Sequence, residues 1–95
     1  MRRPAVYIVA SERNGTLYVG VTSDLVTRAA QHRFGELAGF TARYGCKLLV
    51  YFELYEDIST AILREKQLKA GSRAKKVALI ESASATWRDL FSEIV

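Results

Sequence analysis

The chain has 95 residues, 49% hydrophobic and 25% charged, which suits a single folded domain spanning 1–95 and excludes two domains or a disordered, low-complexity chain. Fourteen Lys and Arg against ten Asp and Glu give a net charge of +4, a lean toward polyanionic partners that is weak by itself. The single cysteine, Cys46, excludes an internal disulfide and a Cys-based zinc site and points to a reducing, cytoplasmic setting, and the early apolar run 5–10 is too short for a signal peptide or a membrane span.

Ala5 to Ala10 reads as a buried strand and Thr16 to Val21 as its hairpin partner, turned through Asn14-Gly15. Ser23 is placed to cap a helix that begins at Asp24, runs through Arg33 and stops before Gly35. Residues 36–45 read as irregular or as a short helix, punctuated by Gly39 and Gly45. Lys47 to Tyr55, rich in Val, Tyr, Phe and Leu, is the third strand. A second helix starts near Ser59 and ends before Gly71; Ser72 caps a third, Arg73 to about Ala83; Trp87 to Ile94 allows a short last one. The order β-β-α-β-α-α predicts an α+β fold, a small three-stranded, mostly antiparallel sheet flanked by helices.

Side chains alternate along a strand. If the hairpin loop is Glu12 to Gly15, Ser11 pairs with Thr16 and Tyr7 lies opposite Gly20. Tyr18 then sits diagonally beside Tyr7 on the same face, roughly 7–8 Å away. Gly20 is expected to leave open space beside Tyr7 for a backbone or a ligand. Read alone, the two tyrosines are aromatic core residues of a hairpin.

Arg28 and His32 are four apart and share one helical face, bordering the apolar stripe Leu25, Val26, Ala29 and Ala30. Each has a plain structural reading: Arg28 as a surface cation paired with Asp24, His32 as a helix C-terminal histidine stabilised by the dipole. Glu65 is out of place, because it falls inside the stripe Ile58, Ala61, Ile62 and Leu68. A carboxylate on a core face must be paired, protonated or bound to a cation. Around it Arg64, Lys66, Lys69, Arg73, Lys75 and Lys76 place six cations in thirteen residues. Such a run is either a solvated face or a ridge that tracks a phosphate backbone.

The ordered set Ala5-Val6-Tyr7, Tyr18-Val19-Gly20, Arg28, His32 and Glu65 resembles the GIY-YIG nuclease family, with AVY and YVG in place of the two tripeptides. The similarity spans nearly the whole chain and is greatest to small stand-alone bacterial members. Their downstream stretch is similar to Ala61-Ile62-Leu63-Arg64-Glu65-Lys66-Gln67-Leu68-Lys69, then Ser72 to Lys76, Leu79-Ile80 and Trp87-Arg88-Asp89-Leu90. The resemblance implies Tyr7 and Tyr18 at the reacting phosphate, Arg28 on its oxygens, His32 nearby, and Glu65 as sole protein ligand of Mg²⁺ or Mn²⁺. Ser84-Ala85 stands where relatives carry Asn-Pro, and the family's asparagine supports the active site.

The activity so implied is metal-dependent endonucleolytic hydrolysis of DNA, in repair or processing. Recognition would be of structure rather than sequence, with branched or single-stranded DNA among the partners and no membrane. Either tyrosine is open as general base, and its phenol, with an ordinary pKa near 10, would need to be lowered. Two other readings stand beside this one: a nucleic-acid-binding module whose catalysis has decayed, and a protein-interaction domain.

Overall fold

The structure, a computed structural model, describes residues 3–95, so Met1 and Arg2 of the basic N-terminal flank lie outside the described residues. Strands β1 (Ala5–Ala10), β2 (Leu17–Thr22) and β3 (Leu48–Leu54) form one antiparallel sheet in the order β2-β1-β3. Helix α1 (Leu25–Arg33) and the one-turn α2 (Phe40–Tyr44) lie between β2 and β3; α3 (Ile58–Ala70), α4 (Arg73–Ala83) and the short α5 (Phe91–Ile94) follow. The sequence-predicted α+β order is thus observed, with both optional short helices formed.

The central strand β1 is buried on both faces, which is why it is apolar throughout. Its odd-numbered side chains Ala5, Tyr7 and Val9 join Leu25 and Ala29 of α1 with Leu90 and Ile94 of the C-terminal segment. Its even-numbered side chains Val6, Ile8 and Ala10 join Ala61 and Leu68 of α3, Ile80 of α4 and Trp87. A register shift between Ile8 and Val9 in the pairing with β3 interrupts that ladder. The C-terminal segment is pinned to the sheet: Leu90 N–H donates to Leu49 O at 2.7 Å, Leu49 N–H donates to Asp89, and Asp89 also pairs with Arg33 of α1. Among the described residues no helix is long and apolar enough to cross a membrane.

The hairpin turns through Glu12 to Gly15, with Ser11 N–H donating to Thr16 O at 3.0 Å and Asn14 at φ 62°. Tyr7 therefore pairs with Gly20, and Tyr18 with Val9, as the four-residue loop requires. One cap assignment differs from the sequence expectation. Asp24, not Ser23, caps α1, its carboxylate accepting from Thr27 N–H and Thr27 Oγ1, so the helix starts one residue later at Leu25. Asp57 caps α3 by accepting from Thr60 N–H at 2.8 Å. Ser72 caps α4 as expected.

Candidate active site

A cleft of about 270 Å³ opens between the β1-β2 hairpin, α1 and α2, walled by Tyr7, Tyr18, Arg28, His32, Phe40 and Thr41. Strand alternation sends both tyrosines to the α1 side of the sheet. The i, i+4 spacing on α1 brings Arg28 and His32 to the same wall. Four of the residues singled out from sequence thus line one concavity.

Tyr7 is fully buried, and its hydroxyl lies 2.9 Å from His32 Nε2. Burial pushes the phenol up to about 12, with Arg28 pulling the other way and the proximity of Tyr18 and Glu65 adding to the rise. His32 is buried as well, and burial followed by the nearby Arg28 charge lowers it to about 4. The imidazole is therefore neutral at physiological pH. The expected dipole-stabilised imidazolium at a helix end is replaced by a neutral ring held between tyrosines, 5.3 Å from Tyr7 and 5.9 Å from Tyr18. His32 Nδ1 is buried without a hydrogen-bond partner, an orphan polar atom in the wall of the cleft.

Gly20 acts differently from the expectation. A Cβ there would lie 2.3 Å from Tyr7 Oη and 2.4 Å from its Cζ. The space beside Gly20 is filled by the Tyr7 ring and is closed to a ligand; the glycine is needed so that Tyr7 can lie across β2 and reach His32. Tyr18, half-buried, stands instead at the mouth of the cleft, with Phe40 at 6.0 Å and the Lys69 ammonium 5.6 Å from its ring centroid.

Glu65 reaches the same region from α3. Its side chain is 15% exposed and pairs with Lys69 at 3.3 Å. The stripe expected around it is narrower than the sequence suggested. Ala61 and Leu68 are buried, but Ile58 and Ile62 are 39% and 37% exposed, so the buried face runs through 61, 65 and 68. Glu65 is on that face and has the ion-pair partner that its position demands. Among the described residues no group of three or more His, Cys, Asp or Glu gathers to hold a metal ion. A lone carboxylate beside a solvated cleft nonetheless fits Mg²⁺ or Mn²⁺, which bind through one or two carboxylates and keep several waters.

The basic ridge divides into two kinds of cation. Arg64 is committed to Glu53 of β3, with Nε at 2.9 Å and Nη2 at 3.0 Å from its two oxygens, while Tyr51 and Tyr55 hydroxyls donate to the same carboxylate. Arg73 clamps the hairpin loop, donating to Gly15 O at 2.7 Å and Asn14 O at 3.1 Å. Lys76 donates to Gly71 O, while its side chain lines a second concavity with Tyr18, Phe40 and Lys69. Lys66 and Lys75 are exposed. Arg64 and Arg73 therefore hold the fold together, and the cations nearest the tyrosine cleft are Arg28, Lys69 and Lys76. Ser84 is not brought to the cleft: its hydroxyl lies 3.3 Å from Thr86 Oγ1 and accepts from Arg88 N–H, and it ends α4.

Sequence reasoning did not single out Phe40 and Tyr44. They are 46% and 44% exposed, with ring centroids 4.6 Å apart, and Phe40 joins Tyr18 in both concavities. The local signal was present: two aromatics at i, i+4 inside a Gly39-to-Gly45 window too short to bury them.

Residues 3–78 match the GIY-YIG catalytic domain. A UPF0213 protein of Staphylococcus haemolyticus is 37% identical over 81 residues, covering 85% of this chain and 98% of the relative. UPF0213 proteins of Staphylococcus aureus strains Mu3 and Mu50 are each 40% identical over 76 residues, covering 80% of this chain and 92% of the relative. No solved structure matches the chain.

Proposed function

Because the chain belongs to the GIY-YIG family, whose catalytic domain supports nuclease-type chemistry, we propose that it is a divalent-metal-dependent endonuclease hydrolysing phosphodiester bonds in DNA. The observation that carries this reading is the convergence of Tyr7, Tyr18, Arg28 and His32 on one cleft, with Glu65 close enough for its charge to act on the Tyr7 phenol. Cytoplasmic location and a role in DNA repair or processing belong to the same proposal.

The parts divide the work. Arg28 contacts the non-bridging oxygens of the scissile phosphate, where negative charge grows as a water attacks phosphorus. Tyr18, at the mouth, takes the proton of that water as a phenolate, after its own phenol proton has passed to solvent. Tyr7 is the poorer base, since its phenol is pushed up to about 12 and engaged with His32. Its hydroxyl stays protonated and fixes the floor of the cleft. His32 remains neutral, so it adds no charge that would repel a cation at Glu65. Glu65 would hold Mg²⁺ or Mn²⁺ once Lys69 has turned from the carboxylate toward the nucleic acid. Such an ion, when bound, would supply stabilisation of the negative charge that builds in the reaction. The P–O bond to that oxygen breaks as the water oxygen bonds to phosphorus, and solvent protonates the leaving group.

The test is incubation with labelled linear, flapped and single-stranded DNAs in Mg²⁺, Mn²⁺ or EDTA. Cleavage in either metal that EDTA stops is the expected result. Binding without cleavage in any condition would instead give a nucleic-acid-binding module with decayed catalysis.

A further inference from the structure

The aromatic surface beside the cleft has no part in the hydrolysis just described. Phe40 and Tyr44 are two of the large hydrophobic side chains that the fold leaves exposed, and both stand on the single turn α2. Their rings continue outward from Tyr18: Tyr18 to Phe40 is 6.0 Å with planes tilted by 32°, and Phe40 to Tyr44 is 4.6 Å with planes tilted by 44°. The Arg43 guanidinium lies 5.4 Å from the Tyr44 centroid. Phe40 forms part of the wall of the Tyr7-Arg28-His32 cleft and also of the concavity lined by Lys69 and Lys76. An aromatic ladder thus leads from the reacting centre, with cations beside it.

We propose that Phe40 and Tyr44 form a stacking platform for an unpaired nucleobase next to the phosphate held at Arg28, which makes single-stranded or flapped DNA the preferred substrate. This rests on the reading of the cleft as a phosphodiester site and names its substrate class. Exposed aromatic rings flanked by cations are what a splayed strand requires, because the ring takes the π-face of any base while the cations track the backbone. Bases inside a duplex are already stacked on their neighbours and have no face to offer. The platform is continuous with the cleft and the charge beside it is of the right sign, so the occupant is a polyanion with free aromatic faces.

The experiment measures binding in EDTA, without cleavage, to three fluorescent DNAs with equal phosphate number: a dT strand, the same strand carrying abasic residues, and a blunt duplex. Wild type should bind the dT strand about tenfold more tightly than the abasic strand. Tyr44→Ala should lose that advantage while holding the abasic strand at the wild-type level, and Phe40→Ala should lose the advantage too. Tyr44→Trp should restore it and show quenching of the new indole when the base stacks. Tyr44 is exposed, so Tyr44→Ala keeps the test valid if Phe40→Ala disturbs Tyr18. Equal affinity of wild type for the dT and abasic strands, or unchanged dT affinity in both alanine variants, overturns the platform. If those variants also dissolve a dimer, the face belongs to a second copy of the chain and the platform is likewise overturned. Metal-dependent cleavage that persists after such a result leaves the nuclease reading standing, whereas a working platform with no cleavage of any DNA removes that reading alone.

Discussion

Gly20→Ala tests how the cleft is built. The new methyl would sit 2.3 Å from Tyr7 Oη and 2.4 Å from Cζ, more than 1 Å inside the ~3.5–4 Å carbon contact distance. Tyr7 cannot simply swing away, because it is buried among Leu25, Ala29, Cys46 and Leu49. Overpacking of this kind costs about 1–3 kcal/mol. Displacing the ring also breaks the 2.9 Å contact with His32 and leaves two buried polar groups unpaired, about 1–3 kcal/mol more. A total near 2–6 kcal/mol should lower Tm by about 10 °C or more in a domain this small. Gly71→Ala is the control. It removes the same backbone freedom from the unfolded chain, but its methyl would meet Leu68 O at 3.4 Å, so its effect should stay within about 1 kcal/mol. Trp87, the single tryptophan and buried, reports unfolding in urea by fluorescence. A Gly20→Ala protein that melts like Gly71→Ala and keeps its activity would refute the packing of Tyr7 against Gly20.

Further outcomes follow from the same geometry. His32 is the single histidine, ordinarily protonated near 6.5 but lowered to about 4 by burial and Arg28. Between those values the unfolded state binds more protons, so stability should be complete above pH 6.5 and fall by about 3 kcal/mol toward pH 4. Urea melts of wild type and His32→Phe across that window check this, and an equal pH slope in both would count against a neutral buried imidazole. Glu53→Gln should cost about 2 kcal/mol, because it removes the charge that Arg64 grips bidentately and that Tyr51 and Tyr55 also bond. Calorimetry checks it; an unchanged Tm would return Arg64 to the solvated ridge. Tyr18→Phe should slow single-turnover cleavage by roughly 10²–10⁴, the usual worth of a general base, whereas Tyr7→Phe should chiefly lower stability. The opposite pattern would exchange the two roles.

What the sequence made legible was what local patterning decides. The apolar run of β1 gave that strand's limits and put both tyrosines on one face, because a one-residue slip would turn every side chain to the wrong face; the Tyr7–Gly20 register followed only for the four-residue loop that the structure adopts. The i, i+4 rule put Arg28 and His32 together, and Glu65 stood out as a carboxylate on a buried face. What stayed hidden depends on partners distant in sequence. His32 looks like a helix-end cation until a strand tyrosine 25 residues earlier closes over it. Arg64 looks like part of a ridge until Glu53, eleven residues away, claims it. The void expected at Gly20 vanished because the direction of the Tyr7 ring is set by α1 packing, not by the hairpin. Ile58 and Ile62 share a helical stripe with buried residues, yet α3 packs on the sheet through Ala61 and Leu68 and leaves them exposed. Ser23 and Asp24 are both good capping residues, and the one whose carboxylate reaches Thr27 N–H won.

The most direct test of the account is the single-turnover cleavage rate of Glu65→Gln beside wild type, in Mg²⁺, on the DNA that wild type cuts best. Glu65 is a largely buried carboxylate, 15% exposed, and Gln keeps its shape while removing the charge from that face, so the variant should stay folded, with a Tm at or above wild type. Its rate should fall to background. A folded Glu65→Gln that cuts at the wild-type rate would contradict the assignment of this cleft as a metal-dependent phosphodiesterase centre.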